Sequence, residues 1–156
     1  MRVETVAFEA KHLFEMDLRP SEQVRLEADP ATLHKTACLA QYGLGATLII
    51  DDTIVGCFGF FEMWPRVYMV WAFPSAHVER YAMVYLRTVR RYIRAIEETH
   101  QPQRLQTTTV DDDQHNRWMR FLGFTNETPG GMPMYSVLGE TFNTWAITYD
   151  DKGGAS

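Results

Sequence analysis

VDDDQHNRWMRFLGF, residues 110–124, places a strand end, a helix start and a helix stop in one short run. The preceding Arg104–Val110 (RLQTTTV) is rich in β-branched residues and reads as a strand. Asp111, Asp112 and Asp113 then sit where carboxylates cap a helix and complement its positive end. That reading outweighs a cation site for the three acids. Gly123 stops the short helix at its C-terminal end.

Upstream lies the clearest element, a helix from about His77 to Thr99, with Pro102 closing the segment. Ala82, Leu86, Val89, Ile93 and Ile96 fall on one stripe. Arg80, Arg87, Arg91 and Arg94 fall on the opposite one, read as a solvated outer face or as a docking surface for an acidic protein partner or for packaged nucleic acid, the last disfavoured by the overall acidity. Before this helix the spacing predicts a three-strand meander. Ala46–Ile50 turns at Asp51-Asp52 into Thr53–Phe61, and Pro65 turns that strand into Val67–Phe73 (VYMVWAF), a run expected to be buried on both faces. Gly56 and Gly59 point to a bulge or a close approach by another group. Arg2–Phe8 reads as a first strand. Glu9–Gln41 reads as helical pieces broken by Pro20 and Pro30, with Ser21 and Asp29 as starters. Downstream, Pro129–Pro133 is a glycine-rich loop and Met134–Leu138 a final strand. The expectation is one mixed α/β domain over residues 1–149, an antiparallel meander followed by a helix crossover, with a flexible tail at 150–156.

The chain has 156 residues, of which 46% are hydrophobic and 22% charged, suiting one soluble domain with a real core. No apolar run approaches the ~20 residues that span a bilayer, and the N-terminus does not read as a signal peptide. A net charge of -5 argues against general affinity for nucleic acid. Cys38 and Cys57 are expected to be free, buried thiols of a reducing compartment. The five histidines show no metal-ligand spacing. Trp64, Trp118, Trp145 and Met132–Met134 mark a protein interface if exposed.

The order of elements, with the run ending in Leu122-Gly123-Phe124, resembles the GNAT (N-acetyltransferase-like) superfamily over roughly Arg2–Leu138. The stretches WAFPSAHVERY and HNRWMRFLGF also resemble the podophage small internal virion protein family, which carries a GNAT-like domain. The first resemblance implies acetyl-CoA as cofactor; the second implies other virion proteins as partners, with a place in the host cytoplasm or the virion.

The superfamily's pyrophosphate loop, Q/R-x-x-G-x-G/A, corresponds here to Pro74–Tyr81 (PSAHVERY), which has no glycine. Side chains there crowd the phosphates and Glu79 repels them; Ser75, His77 and Arg80 are the anion-binding candidates at this helix start. Strand-end amides of Val70, Trp71, Ala72 and Phe73 are the candidates for the pantetheine arm. The tyrosine that serves the family as general acid falls at Met119, which donates no proton; the usual asparagine falls at Asp112 and the usual alanine at His115. Glu62 is the candidate general base, with His115 or Tyr135 as acid. Two readings follow: a non-enzymatic, virion-associated or assembly protein with a degenerate acyl-CoA loop and no cofactor, or an acetyl-CoA-dependent N-acetyltransferase with a rebuilt loop.

Overall fold

The computed structural model describes residues 1–150, apart from the side chain of Leu39; the expected tail lies outside the described residues except for Asp150. In chain order the elements are β1 (Val3–Ala7), α1 (Ala10–Glu15), α2 (Pro20–Ala28), α3 (Thr32–Ala40), β2 (Gly43–Ile50), β3 (Thr53–Trp64), β4 (Val67–Pro74), a 3-10 turn (Val78–Tyr81), α4 (Ala82–His100), β5 (Arg104–Val110), α5 (Asp113–Phe121), β6 (Thr125–Asn126) and β7 (Phe142–Thr148). The strands form a seven-stranded sheet in the order β1-β2-β3-β4-β5-β7-β6. β4 pairs with β5 in parallel, while β1–β2, β2–β3, β5–β7 and β6–β7 are antiparallel. This is the mixed α/β class read from the sequence, a meander followed by a helix crossover. The chain divides into two compact units, one of Met1–Phe61 with Val70–Thr88, the other of Glu62–Met69 with the residues from Val89 onward.

In the first unit, Asp51 and Asp52 both take positive φ, 48° and 64°. That geometry makes the tight hairpin between β2 and β3, and aspartate tolerates it better than branched residues do. The two β3 glycines are sites of close approach. A Cβ on Gly56 meets the Tyr85 ring at 2.6 Å, and one on Gly59 meets Leu44 O at 2.6 Å and Trp71 at 2.7 Å. The core gathers Leu13, Met16, Leu33 and Cys57, with Phe8, Leu26, Ile54, Trp71 and Phe73 packed against them. Cys57 is buried but Cys38 is exposed, which corrects the expectation of two buried thiols: Cys38 lies off the helical stripe that buries Leu33 and Ala40. Helix α2 starts one residue before Ser21, with Arg19 as N-cap and Pro20 in its first turn; proline's fixed φ suits that place. β4 is buried at Val67, Tyr68 and Val70 but exposed at Ala72, so it is not covered along its whole length on both faces.

A buried polar chain crosses this core. His12 accepts the Glu9 N–H at Nδ1 (3.1 Å), so Nδ1 carries no proton, and the Thr47 hydroxyl lies 2.8 Å from the same nitrogen. Thr47 Oγ1 is 3.5 Å from Cys57 Sγ. Burial pushes the Cys57 thiol up to about 11, with the Thr47 contact acting weakly the other way. This thiol is neutral and structural at ordinary pH.

In the second unit, Val89, Ile93 and Ile96 of α4 are buried, as are Leu105, Met119, Phe124, Trp145 and Ala146. β7 pairs with β5 along its whole length, from Val110↔Phe142 to Arg104↔Thr148. This strand replaces the one expected at Met134–Leu138, which is a loop. Met134 takes φ 57° and Gly139 φ 77°. Ser136 Oγ accepts from the N–H groups of Leu138 and Glu140, closing a turn that no strand accommodates. The arginines of α4 face solvent, as the helical period required.

Candidate functional site

Two strand-to-helix junctions carry the residues singled out in the sequence, one in each unit. In the first, β4 ends at Pro74 and the 3-10 turn begins at Val78. A helix start normally offers free N–H groups to an anion. Here the Ser75 N–H donates to Val55 O (2.8 Å), Ala76 N–H to Asp17 O (2.8 Å) and Val78 N–H to Ser75 O (3.1 Å). The His77 N–H donates to Ser75 Oγ at 3.1 Å. Ser75 is fully buried, so its hydroxyl serves the backbone rather than a ligand. His77 Nε2 lies 2.8 Å from Asp17 Oδ2. A cleft of about 350 Å³ beside it is lined by Glu15, Asp17, Asp52 and His77, with Met16, Thr53 and Ile54. Three carboxylates around one histidine make this an unfavourable seat for phosphates. Arg80 is exposed, its guanidinium 5.3 Å over the Tyr81 ring.

The strand residues proposed for the pantetheine arm, Val70, Trp71, Ala72 and Phe73, belong to the same unit. Trp71 packs edge-on against Phe8 at 5.0 Å. Its Nε1 is buried without a hydrogen-bond partner among the described residues; such a donor is costly unless something accepts from it. The amides of Ser75 to Val78 are therefore not free to cradle a coenzyme's pyrophosphate, which leaves side chains alone to meet it there.

In the second unit β5 runs into α5. Asp112 is the N-cap, accepting from the His115 N–H at 2.8 Å. The His115 ring turns back on the same carboxylate, Nδ1 to Oδ1 2.8 Å, and lies against Trp118. The capping expected of the three aspartates thus falls to Asp112. Asp111 does something else: its Oδ1 accepts from Asn116 Nδ2 (3.0 Å) and Asn143 Nδ2 (2.9 Å). These bonds hold its carboxyl below the usual carboxylate value. Asn143 is 1% exposed, and the Thr128 hydroxyl reaches its Oδ1 at 3.5 Å. Sequence reasoning missed Asn143 together with β7. The signal was the branched and aromatic run FNTWAIT, which carries no glycine or proline within it.

Glu62 is exposed at the end of β3. Its charge reinforces the rise of the Tyr68 hydroxyl's pKa, which burial mainly causes. Tyr135 lies half-exposed in the loop after β6, its ring 5.0 Å from Phe142. Glu62, His115 and Tyr135 belong to one unit, but no hydrogen bond or ion pair among the described residues joins any two of them. Met119 is buried where the family's tyrosine was expected. Among the described residues no cluster of histidine, cysteine and carboxylates is arranged to hold a metal, and no helix is long and apolar enough to cross a membrane.

No protein-family model and no curated protein matches the sequence. Solved structures do. An IAA acetyltransferase from Bacillus cereus aligns at TM-score 0.67 and 13% identity, over 94% of this chain and 99% of its own. A putative acetyltransferase from Acinetobacter baylyi aligns at TM-score 0.68 and 10% identity, over 96% and 94%. RimL, a ribosomal-protein acetyltransferase solved in complex with coenzyme A, aligns at 0.64 and 14%, over 95% and 94%. Identities this low speak to architecture alone. The chain has the fold of the GNAT-type acetyltransferases.

Proposed function

We propose that the protein is an acyl-CoA-dependent N-acyltransferase, acetyl-CoA being the donor in view, in which side chains replace free helix amides at the cofactor's phosphates. The observation that carries this reading is the likeness to acetyltransferases along nearly the whole of both chains. Arg80 is the exposed cation at the helix start, with His77 beside it as a second hydrogen-bonding side chain. Glu62 is the carboxylate for an acceptor amine's proton, and His115 or Tyr135 the acid. A second reading rests on the first junction: the N–H groups of Ser75 to Val78, in the loop leading into the helix, already have protein acceptors. It makes the chain a GNAT scaffold without cofactor, working through protein partners in a phage virion or its assembly.

Calorimetric titration with acetyl-CoA and with CoA, alongside thermal shift, tests both. Saturable binding at about micromolar ligand is the result expected of the enzyme. Neither heat nor shift at about millimolar ligand overturns it and leaves the scaffold. Where binding is found, Glu62→Gln is expected to abolish acyl transfer to an amine with folding intact; retained turnover removes Glu62 from the mechanism.

A further inference from the structure

Five exposed arginines of the second unit lie on two helices that touch. Arg90, Arg91 and Arg94 project from α4; Arg117 and Arg120 project from α5. The Arg90 guanidinium lies 5.1 Å over the ring of Phe121, the last residue of α5, which brings the two sets together. Helical spacing puts Arg94 one turn from both Arg90 and Arg91, and Arg120 one turn from Arg117. Among the described residues none of the five takes part in an ion pair, whereas Arg2, Arg19, Arg25 and Arg104 all do. In a chain of net charge -5, a local cluster of five unpaired guanidiniums needs an explanation that the fold does not supply.

The geometry points to a docking site for a short acidic protein segment, three or four carboxylates in a run, laid across α4 and α5. Charge complementarity sets the sign of the occupant, and arginine's planar fork suits paired N–H···O bonds to carboxylates. The size of the patch sets the length. Glu97 and Glu98 follow Arg94 by one turn of α4, and Asp113 precedes Arg117 by one turn of α5. A long polyanion crossing the arginines runs onto these acids. It also meets the repulsion of the whole acidic chain, which a short segment meets far less. This site does not depend on whether a cofactor binds.

The probe is a fluorescently labelled peptide of about twelve residues in which four consecutive glutamates are flanked by neutral residues, followed by anisotropy, against a thymidine oligonucleotide of equal charge. The expected result is saturable peptide binding at about 50 mM salt that weakens as salt rises. It falls about ten-fold or more in Arg91→Glu/Arg94→Glu, and likewise in Arg117→Glu/Arg120→Glu, so that both helices are shown to contribute. Arg91→Ala/Arg94→Ala repeats the loss without new carboxylates, and unchanged melting of each variant shows that the fold is intact. Three results overturn the proposal: no peptide binding; tighter binding of the oligonucleotide than of the peptide; or an equal loss from Arg94→Glu and from Lys11→Glu, the same charge change made on α1.

Discussion

The two strand-to-helix junctions solve one problem by different means. Each must satisfy backbone N–H groups that the first helical turn leaves without partners. At the first, Pro74–Val78, the acceptors are the carbonyls of Val55, Asp17 and Ser75 and the buried Ser75 hydroxyl, all neutral. At the second, Val110–Asn116, they include the Asp112 carboxylate, with Asp111 bound to Asn116 and Asn143. A glycine-bearing loop leaves its amides available to a ligand; a loop with side chains at every position closes on itself. The first junction therefore turns its loop amides onto neutral acceptors of the chain itself, and the second sets the carboxylates of Asp111 and Asp112 at its helix start.

Three substitutions bear on this contrast, in falling order of effect. Trp145→Ala removes a ring that is 1% exposed and whose Nε1 donates to Thr109 Oγ1, just before the second junction. It is expected to lower unfolding stability by about 3–5 kcal/mol in denaturant titration. Trp118, only half-buried, should cost clearly less. Asn143→Ala leaves the Asp111 carboxylate short of a buried donor and is expected to cost about 2–3 kcal/mol. A loss within error places the strength of that junction in Asp112 alone. Ser75→Ala orphans the His77 N–H and is expected to cost about 1–2 kcal/mol. If that variant instead gains affinity for CoA, the amide is available to phosphate after all, and the contrast fails.

The fold was far more legible than the site. The arginine and aliphatic stripes of α4 are set by the helical period, and Asp51-Asp52 by the backbone a tight hairpin needs; both are local physics. β7 was not legible, because its Asn143 and Trp145 owe their burial to β5 and to Asp111, contacts distant in sequence. Met134–Leu138 reads as a strand for the converse reason: its apolar residues suit one, but the turn at Ser136 leaves Met134 79% exposed. At the first junction the missing glycine was visible in the sequence. That Asp17, from a distant loop, would accept the Ala76 N–H was not.

The smallest expected effect is the one that tells the junctions apart by charge. Asp111 has a folded pKa below its ordinary value of 3.8, chiefly through Asn116 and then Asn143. A carboxylate with a lowered folded pKa contributes stability above its unfolded value, and that contribution is lost as pH falls through the folded one. Asp111→Asn should therefore be less stable than the parent at neutral pH, with the gap narrowing below about pH 4. The group is largely open to solvent, so screening keeps the effect small. The backbone N–H bonds at the first junction have neutral acceptors, and the loss caused by Ser75→Ala should stay level across the same window. Paired melts at descending pH compare the two directly. A gap for Asp111→Asn that does not narrow in acid means the Asp111 contacts act through shape rather than charge, and the two junctions are then alike.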